Sequence, residues 1–180
     1  MQFFLLVGPN GIGKSAHAQA RIQELLGPYA YSDFLYLKDY TNEMGKTHTI
    51  PVELSDATNS VELLDGSKQP NYGIRELNLW LQQSGFGAVK MVLIENIQRM
   101  SRSAMNAFLK TSEEPLPNRF IIATVPHTSQ VLDTILSRCI ALHFDPLSEA
   151  EMKAFAQDNA LLSNDTKLQE MLIAMAMGKP

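Results

Sequence analysis

One octapeptide near the start of the chain constrains the fold more than any other stretch. It fits the pattern G-x-x-x-x-G-K-[ST], and its residues are Gly8, Pro9, Asn10, Gly11, Ile12, Gly13, Lys14 and Ser15. An apolar run, residues 3–7, precedes it, and a helix-compatible run, residues 15–26, follows it. Because the pattern requires this order of strand, loop and helix, we interpret the octapeptide as a phosphate-binding loop, called the phosphate loop below.

The residue types explain how such a loop binds phosphate. Glycines adopt positive-φ conformations that turn successive backbone N–H groups inward, at the amino terminus of a helix. Lys14 adds a positive charge, and the Ser15 hydroxyl is a ligand for Mg²⁺ bound together with phosphate oxygens. The phosphate loop therefore predicts nucleotide binding, with ATP and Mg²⁺ as cofactors. The alternative is a glycine-rich turn that happens to end in Lys-Ser.

Length and composition exclude several classes of protein. A chain of 180 residues can bury a sizeable core, and a net charge of −4 argues against a broadly basic surface that coats nucleic acid. The single cysteine, Cys139, excludes an internal disulfide and a multi-cysteine zinc site, so no zinc is expected. No run approaches the roughly 18 apolar residues of a membrane span, and we expect no targeting segment. These features predict a cytoplasmic protein without a membrane partner.

Apolar runs alternate with helical patterns along the chain. The other predicted strands are residues 34–37, 89–95, 119–124 and 140–144, and helical patterns occupy residues 72–84, 103–113 and 131–136. The nearly continuous apolar run at 89–95 is typical of a central strand buried on both faces. This alternation predicts a parallel α/β sheet. The polar stretch at 41–70 is interpreted as loops with a possible edge strand at 47–52.

Pro146 marks a predicted domain boundary. Residues 1–146 form the predicted nucleotide-binding α/β domain. Residues 147–180 contain two helical patterns, at 148–157 and 167–177, and no closing element. We therefore expect this second part to be the truncated start of a helical lid domain.

Four residues outside the phosphate loop are candidates for chemistry. Glu95 ends the third strand, where phosphate-loop proteins place an acid that helps to hold Mg²⁺; the alternative is a carboxylate facing water. The next residue, Asn96, cannot accept a proton as a carboxylate does, so hydrolysis should be weak or absent. Thr124 could contact the γ-phosphate or the attacking water, or be an ordinary strand residue. Arg138 could stabilise phosphoryl charge, including across a subunit interface, although a lone arginine is usually a solvated surface group.

Two later segments resemble a known protein family. Residues 105–115, MNAFLKTSEEP, resemble the NALLKTLEEP segment of bacterial clamp-loader ATPase subunits, and residues 134–139, TILSRC, resemble their TI-SRC segment. The helix start at residues 74–77, IREL, and the spacing between Glu95 and Asn106 also fit. The resemblance covers about residues 3–147. The chain is therefore similar to AAA+ clamp-loader subunits of bacterial DNA polymerase III.

The resemblance implies a fold and a set of roles. It implies a five-stranded sheet in the order 5-1-4-3-2 followed by a small helical lid. The phosphate loop would be the Walker A loop, Glu95 would lie in Walker B, and Thr124 would lie near sensor 1. Arg138 would be an arginine finger that serves the ATP of the neighbouring subunit. Such subunits assemble with sister subunits into a pentamer that opens the sliding clamp and places it on primed DNA.

The chain departs from the family pattern at three points. Fully active members read Asp-Glu in Walker B, whereas this chain reads Glu95-Asn96, closer to the delta-prime type, which need not hydrolyse ATP. Residues 26–34 leave no room for the zinc module of many relatives, and we expect the adenine-side stretch before the first strand to be missing, because the sequence begins at Met1-Gln2. The leading hypothesis is a delta-prime-like subunit that binds ATP weakly. The alternatives are a stand-alone ATPase or small-molecule kinase, and an inert AAA+ remnant.

Overall fold

Five parallel strands form the sheet on which the domain is built. They are β1 (Gln2–Val7), β2 (Phe34–Leu37), β3 (Lys90–Ile94), β4 (Arg119–Val125) and β5 (Ile140–His143). Their spatial order is β2-β3-β4-β1-β5, so the predicted order 5-1-4-3-2 is confirmed. The structure is a computed structural model that describes residues 2–37, 40–41, 47–48, 60–62, 68–70, 74–100, 102–113, 116–158 and 179.

Helices connect the parallel strands, which cannot be joined by tight turns. The connecting helices are α1 (Lys14–Leu26), α2 (Ala30–Asp33), α3 (Ile74–Gln82), α4 (Arg102–Glu113) and α5 (Asp133–Leu136), and α6 (Glu149–Asp158) follows β5. Short 3₁₀ turns lie at Gly27–Tyr29, Ile97–Arg99 and Thr128–Gln130. The α6 helix matches the pattern at 148–157, whereas the pattern at 167–177 lies outside the described residues, and the lid domain stays a prediction. No helix in the described ranges has the length and apolar character needed to cross a membrane.

Two short antiparallel pairs lie between β2 and α3. Tyr40–Thr41 pairs with Thr47–His48, and Ser60–Glu62 pairs with Lys68–Pro70. The predicted edge strand at 47–52 is therefore only a two-residue strand over its described part, and it belongs to a separate ribbon rather than to the main sheet. Residues 49–52 lie outside the described residues.

The sheet is buried on both faces at its centre. All five residues of β3 are buried, as the continuous apolar run predicted. On one face Phe108 of α4 is fully buried and meets the ring of Phe3 edge to face, at 5.4 Å between centroids. Burial of such a ring contributes about 2–3 kcal/mol. On the other face Ala18, Ile22 and Leu26 of α1 pack against the sheet.

A buried polar cluster fixes the amino edge of the sheet. Asp33, fully buried at the end of α2, accepts the backbone N–H of Phe86 at 3.0 Å and that of Gly87. The Nζ of Lys90 donates to the Trp80 carbonyl at 2.7 Å and lies 4.0 Å from the centre of the Trp80 ring. Burial lowers the pKa of Lys90. These contacts give hydrogen-bond partners to the Trp80 carbonyl near the end of α3 and to the N–H groups of Phe86 and Gly87 that follow the helix.

Replacing Asp33 with asparagine tests this cluster. In Asp33→Asn an NH₂ group replaces one of the two acceptor oxygens and faces a backbone N–H, so two donors oppose each other. The free energy of unfolding should fall by about 1–3 kcal/mol, measured by urea denaturation. Asp145→Asn is the matched control, because it removes the same charge from an exposed side chain. An equal loss in both variants would contradict the buried hydrogen-bond account.

Candidate nucleotide-binding site

The phosphate loop lies at the carboxyl edge of the sheet, directly after β1. The N–H of Gly8 donates to the Val125 carbonyl at 3.1 Å and extends the pairing of β1 with β4. On the other side the N–H of Phe144 donates to the Val7 carbonyl at 2.7 Å. A Cβ on Gly8 would collide with the Phe144 carbonyl oxygen. Glycine is therefore required here because the backbone after β5 lies against it.

The rest of the phosphate loop turns directly into α1. Gly11 and Gly13 have φ values of 83° and 90°, in the left-handed region that glycine adopts without a steric penalty. Gly13 is the residue before the helix, and α1 begins at Lys14. Ile12 is buried and anchors the loop, whereas Asn10 is exposed. This conformation brings the amino terminus of a 13-residue helix to the loop, the arrangement that binds phosphate groups.

Lys14 is held inside its own loop. Its Nζ donates to the carbonyls of Gly8 at 2.6 Å and Pro9 at 2.8 Å, and the residue is 7% exposed. Burial lowers the pKa of Lys14, and the charge of Glu95 partly opposes that shift. An ammonium group has three protons to donate. Two are directed to loop carbonyls, so a phosphate would receive the third or displace one of these partners.

Tyr36 of β2 was not among the predicted site residues, but Ser15 and Glu95 both act on the pKa of its hydroxyl. Burial, followed by the charge of Glu95 and the hydrogen bond to it, raises the pKa of Tyr36, and the Ser15 hydrogen bond opposes this. The sequence signal that could have identified Tyr36 is a tyrosine near the carboxyl end of β2, the strand that pairs with β3.

Thr124 and Asn96 are joined by a hydrogen bond. The backbone N–H of Asn96 donates to Thr124 Oγ1 at 3.0 Å, and Thr124 is 2% exposed. Asn96 has φ 54° and ψ 54°, a left-handed conformation in which asparagine is enriched among non-glycine residues. Thr124 thus positions the backbone that follows β3. Its contact with a γ-phosphate or water stays a prediction.

Arg138 lies at the opposite edge of the sheet. It comes between α5 and β5, and its Nη1 donates to the Thr134 carbonyl at 2.8 Å. Along β5, Ile140 pairs with Phe4 and His143 pairs with Val7. With a rise of about 3.3 Å per residue, Arg138 lies at least about 10 Å along the sheet from its own phosphate loop. The structure therefore gathers the phosphate loop, Glu95 and Thr124 at one edge and leaves Arg138 at the other.

The side chains at the carboxyl edge fit a magnesium–nucleotide complex. Ser15 offers a hydroxyl oxygen and Glu95 a carboxylate oxygen, and Mg²⁺ prefers a few such oxygen ligands together with phosphate and water. In the part of the chain that the structure describes, no three His, Cys, Asp or Glu side chains lie together as a metal site.

A protein-family model identifies the relatives of this chain. The model of the family described as "DNA polymerase III, delta subunit" matches residues 1–148. The chain belongs to this family. The match confirms the resemblance to clamp-loader subunits of DNA polymerase III that the segments at 105–115 and 134–139 predicted.

Individual proteins agree with this assignment. The chain is 30% identical over 110 residues to DNA polymerase III subunit delta' of Haemophilus influenzae, covering 59% of this chain and 32% of that protein. It is 29% identical over 182 residues to the Pseudomonas aeruginosa delta' subunit, covering 98% of this chain and 53% of that protein. A Thermotoga maritima RuvB mutant is similar in fold, with TM-score 0.63 and 14% identity, covering 100% of this chain and 51% of that chain. The chain thus has the AAA+ fold and spans about a third to a half of these relatives.

The close approach at Gly8 is testable by substitution. Gly8→Ala should lower the free energy of unfolding by about 3 kcal/mol, because the added Cβ meets backbone that cannot rotate away. Gly11→Ala is the control: its φ of 83° is left-handed, but a Cβ there meets only the flexible end of the Lys179 side chain at 3.4 Å, so the loss should be about 1–2 kcal/mol. Urea denaturation measures both. A larger loss in Gly11→Ala than in Gly8→Ala would contradict the proposed packing.

Proposed function

We propose that this chain is a delta-prime-like subunit of a sliding-clamp loader in DNA replication. It binds ATP with Mg²⁺ at the phosphate loop and supplies Arg138 to the ATP of a neighbouring subunit. Its partners are sister clamp-loader subunits in a hetero-oligomer, which acts on the sliding clamp and primed DNA. Such a subunit works in the cytoplasm.

The position of Arg138 is the observation that carries this proposal. The side chain is exposed at the amino edge of the sheet, whereas the phosphate loop of the same chain lies at the carboxyl edge. Arg138 is therefore too far away to contact a nucleotide in its own loop. A guanidinium group stabilises phosphoryl charge well, and such an arginine is often supplied by another subunit. An exposed edge is where a neighbouring subunit would meet it.

The residues at the carboxyl edge support binding more than hydrolysis. The loop N–H groups and Lys14 would hold the phosphates, and Ser15 and Glu95 would hold Mg²⁺, which neutralises phosphate charge when bound. Where an active ATPase has a glutamate, Asn96 presents an amide that cannot take a proton from water. We therefore expect weak or absent turnover by this subunit alone.

An inert AAA+ remnant is the second candidate, and specific contacts favour it. Lys14 donates hydrogen bonds to two carbonyls of its own loop, those of Gly8 and Pro9. In a phosphate loop that no longer binds nucleotide, the lysine ammonium would donate its hydrogen bonds to carbonyls of the loop itself. The affinity of the protein for ATP separates the two candidates.

Arg138→Ala tests the arginine-finger role. In the assembled loader it should lower turnover at the neighbouring site by about 10³-fold, because the developing phosphoryl charge loses its cation. The affinity of this subunit for ATP should not change, since Arg138 is remote from its own loop. Arg21→Ala is the matched control, because Arg21 is an exposed arginine that pairs with Glu24 within α1. Normal turnover by the Arg138→Ala loader would show that the finger assignment is wrong.

Lys14→Ala tests the nucleotide role of the phosphate loop. Removing the ammonium should weaken ATP binding by about tenfold or more, since a charge-assisted hydrogen bond to phosphate is lost. Calorimetric titration of the subunit with ATP measures this effect. If the unmodified protein binds no ATP, the remnant is favoured. If it turns ATP over rapidly by itself and Lys14→Ala abolishes that turnover, it is a stand-alone ATPase.

A further inference from the structure

β5 lies at the edge of the main sheet, and among the described residues it pairs with β1 alone. All of its residues are exposed; Ile140 is 52% exposed and Leu142 is 44% exposed. The strand contains no Asp, Glu, Lys or Arg. Natural proteins protect such edges with charges, prolines or a covering segment, because unpaired backbone groups are a template for another chain. The apolar edge of β5 is therefore a surface to which a further strand can add.

The outward backbone groups of β5 belong to Ala141 and His143. The N–H of Phe144 donates to the Val7 carbonyl of β1 at 2.7 Å, so the backbone groups of Phe144 point into the sheet. Successive residues of a strand direct their N–H and C=O groups to opposite sides. The N–H and C=O groups of Ala141 and His143 therefore face away from β1, where an added strand would meet them.

A second copy of β5 has the spacing that these outward groups require. In an antiparallel pair with Leu142 on a twofold axis, Ala141 of each copy lies opposite His143 of the other. Two residues placed in this way exchange both of their backbone hydrogen bonds. The same surface is used by both copies, so the contact is closed and symmetric.

The same pairing covers the exposed apolar side chains of β5. Ile140, Leu142 and Phe144 share one face of the sheet, because side chains alternate along a strand. Leu142 and Phe144 line an open apolar cavity beside α1. In the antiparallel pair Leu142 meets its own copy, and Ile140 lies opposite Phe144 of the second copy. These are the non-hydrogen-bonded positions, where side chains across the two strands are closest.

The charges at the two ends of β5 favour a second copy over other partners. Arg138 precedes the strand, Asp145 follows it, and both are exposed. In the antiparallel pair Asp145 of each copy lies opposite Cys139 of the other, beside Arg138, so opposite charges meet at both ends. Parallel pairing would bring like charges together, which is unfavourable. An antiparallel partner needs this same charge pattern, and the chain itself has it.

We propose that β5 is a dimerisation edge, along which two copies of this chain pair antiparallel and form one continuous sheet. The contact uses neither the phosphate loop nor a nucleotide, so it is independent of ATP binding. It covers the surface around Arg138. Under the proposed function, a chain paired in this way does not present Arg138 to a neighbouring subunit, so the homodimer and the clamp loader compete for this edge.

Sedimentation velocity of the 180-residue protein over a concentration series tests the pairing. The unmodified protein should shift towards a species of twice its 20.0 kDa mass as the concentration rises. Ala141→Pro should abolish this species, because proline lacks the outward N–H and its ring blocks the second strand. Proline is tolerated on an edge strand where the N–H faces solvent, so the monomer should fold. Ala141→Val keeps the N–H and should still dimerise.

Charge reversal tests the antiparallel arrangement independently of Ala141→Pro. Arg138→Glu and Asp145→Lys should each weaken dimerisation by about tenfold, because each replaces attraction with repulsion at both ends of the pair. The double variant should recover the affinity of the unmodified protein, which a merely structural role of either side chain would not produce.

The inference is overturned if the unmodified protein remains monomeric up to about 1 mM, the weakest dissociation constant expected for a specific dimer. It is also overturned if a folded Ala141→Pro variant dimerises normally, or if the double charge reversal does not recover the dimer. These outcomes leave the proposed function intact, because ATP binding does not involve β5. Conversely, a protein that dimerises but binds no ATP would contradict the proposed nucleotide role alone.

Discussion

The backbone pairing of β1 with both β4 and β5 is the interaction on which the rest of the structure depends. Phe4 pairs with Ile122 on one side and with Ile140 on the other. The same two ladders extend past the end of β1 and hold Gly8 so closely that no side chain fits there. The phosphate loop is therefore placed by main-chain hydrogen bonds before any of its side chains meets a ligand.

Parallel pairing also determines which groups share an edge. Residues that follow parallel strands gather at the carboxyl edge, and residues that precede them gather at the amino edge. Glu95 follows β3 and lies beside the phosphate loop, whereas Arg138 precedes β5 and lies away from it. Under the proposed function, one subunit thereby takes part in two nucleotide sites, its own through the carboxyl edge and a neighbour's through Arg138.

Local pattern predicted much of the fold but few of the contacts. The apolar run of β3 predicted a buried central strand, because a strand that is buried on both faces has apolar residues at nearly every position. The order of the strands came from family resemblance, because alternation alone does not specify which strands are neighbours. Asp33 and Tyr36 were missed because the residues that act on them lie far along the chain: Asp33 meets Phe86, and Ser15 and Glu95 act on the pKa of Tyr36. The periodicity of a single segment does not predict contacts between residues that are far apart in the sequence.

The polar groups of the candidate site already have partners within the protein. Lys14 is hydrogen-bonded to its own loop, and Thr124 is hydrogen-bonded to the backbone of Asn96. Binding a nucleotide here exchanges existing hydrogen bonds for new ones, so its net gain is smaller than a count of phosphate contacts suggests. Under the proposed function, weak nucleotide affinity is the expected consequence, because each new hydrogen bond to a nucleotide replaces one within the protein.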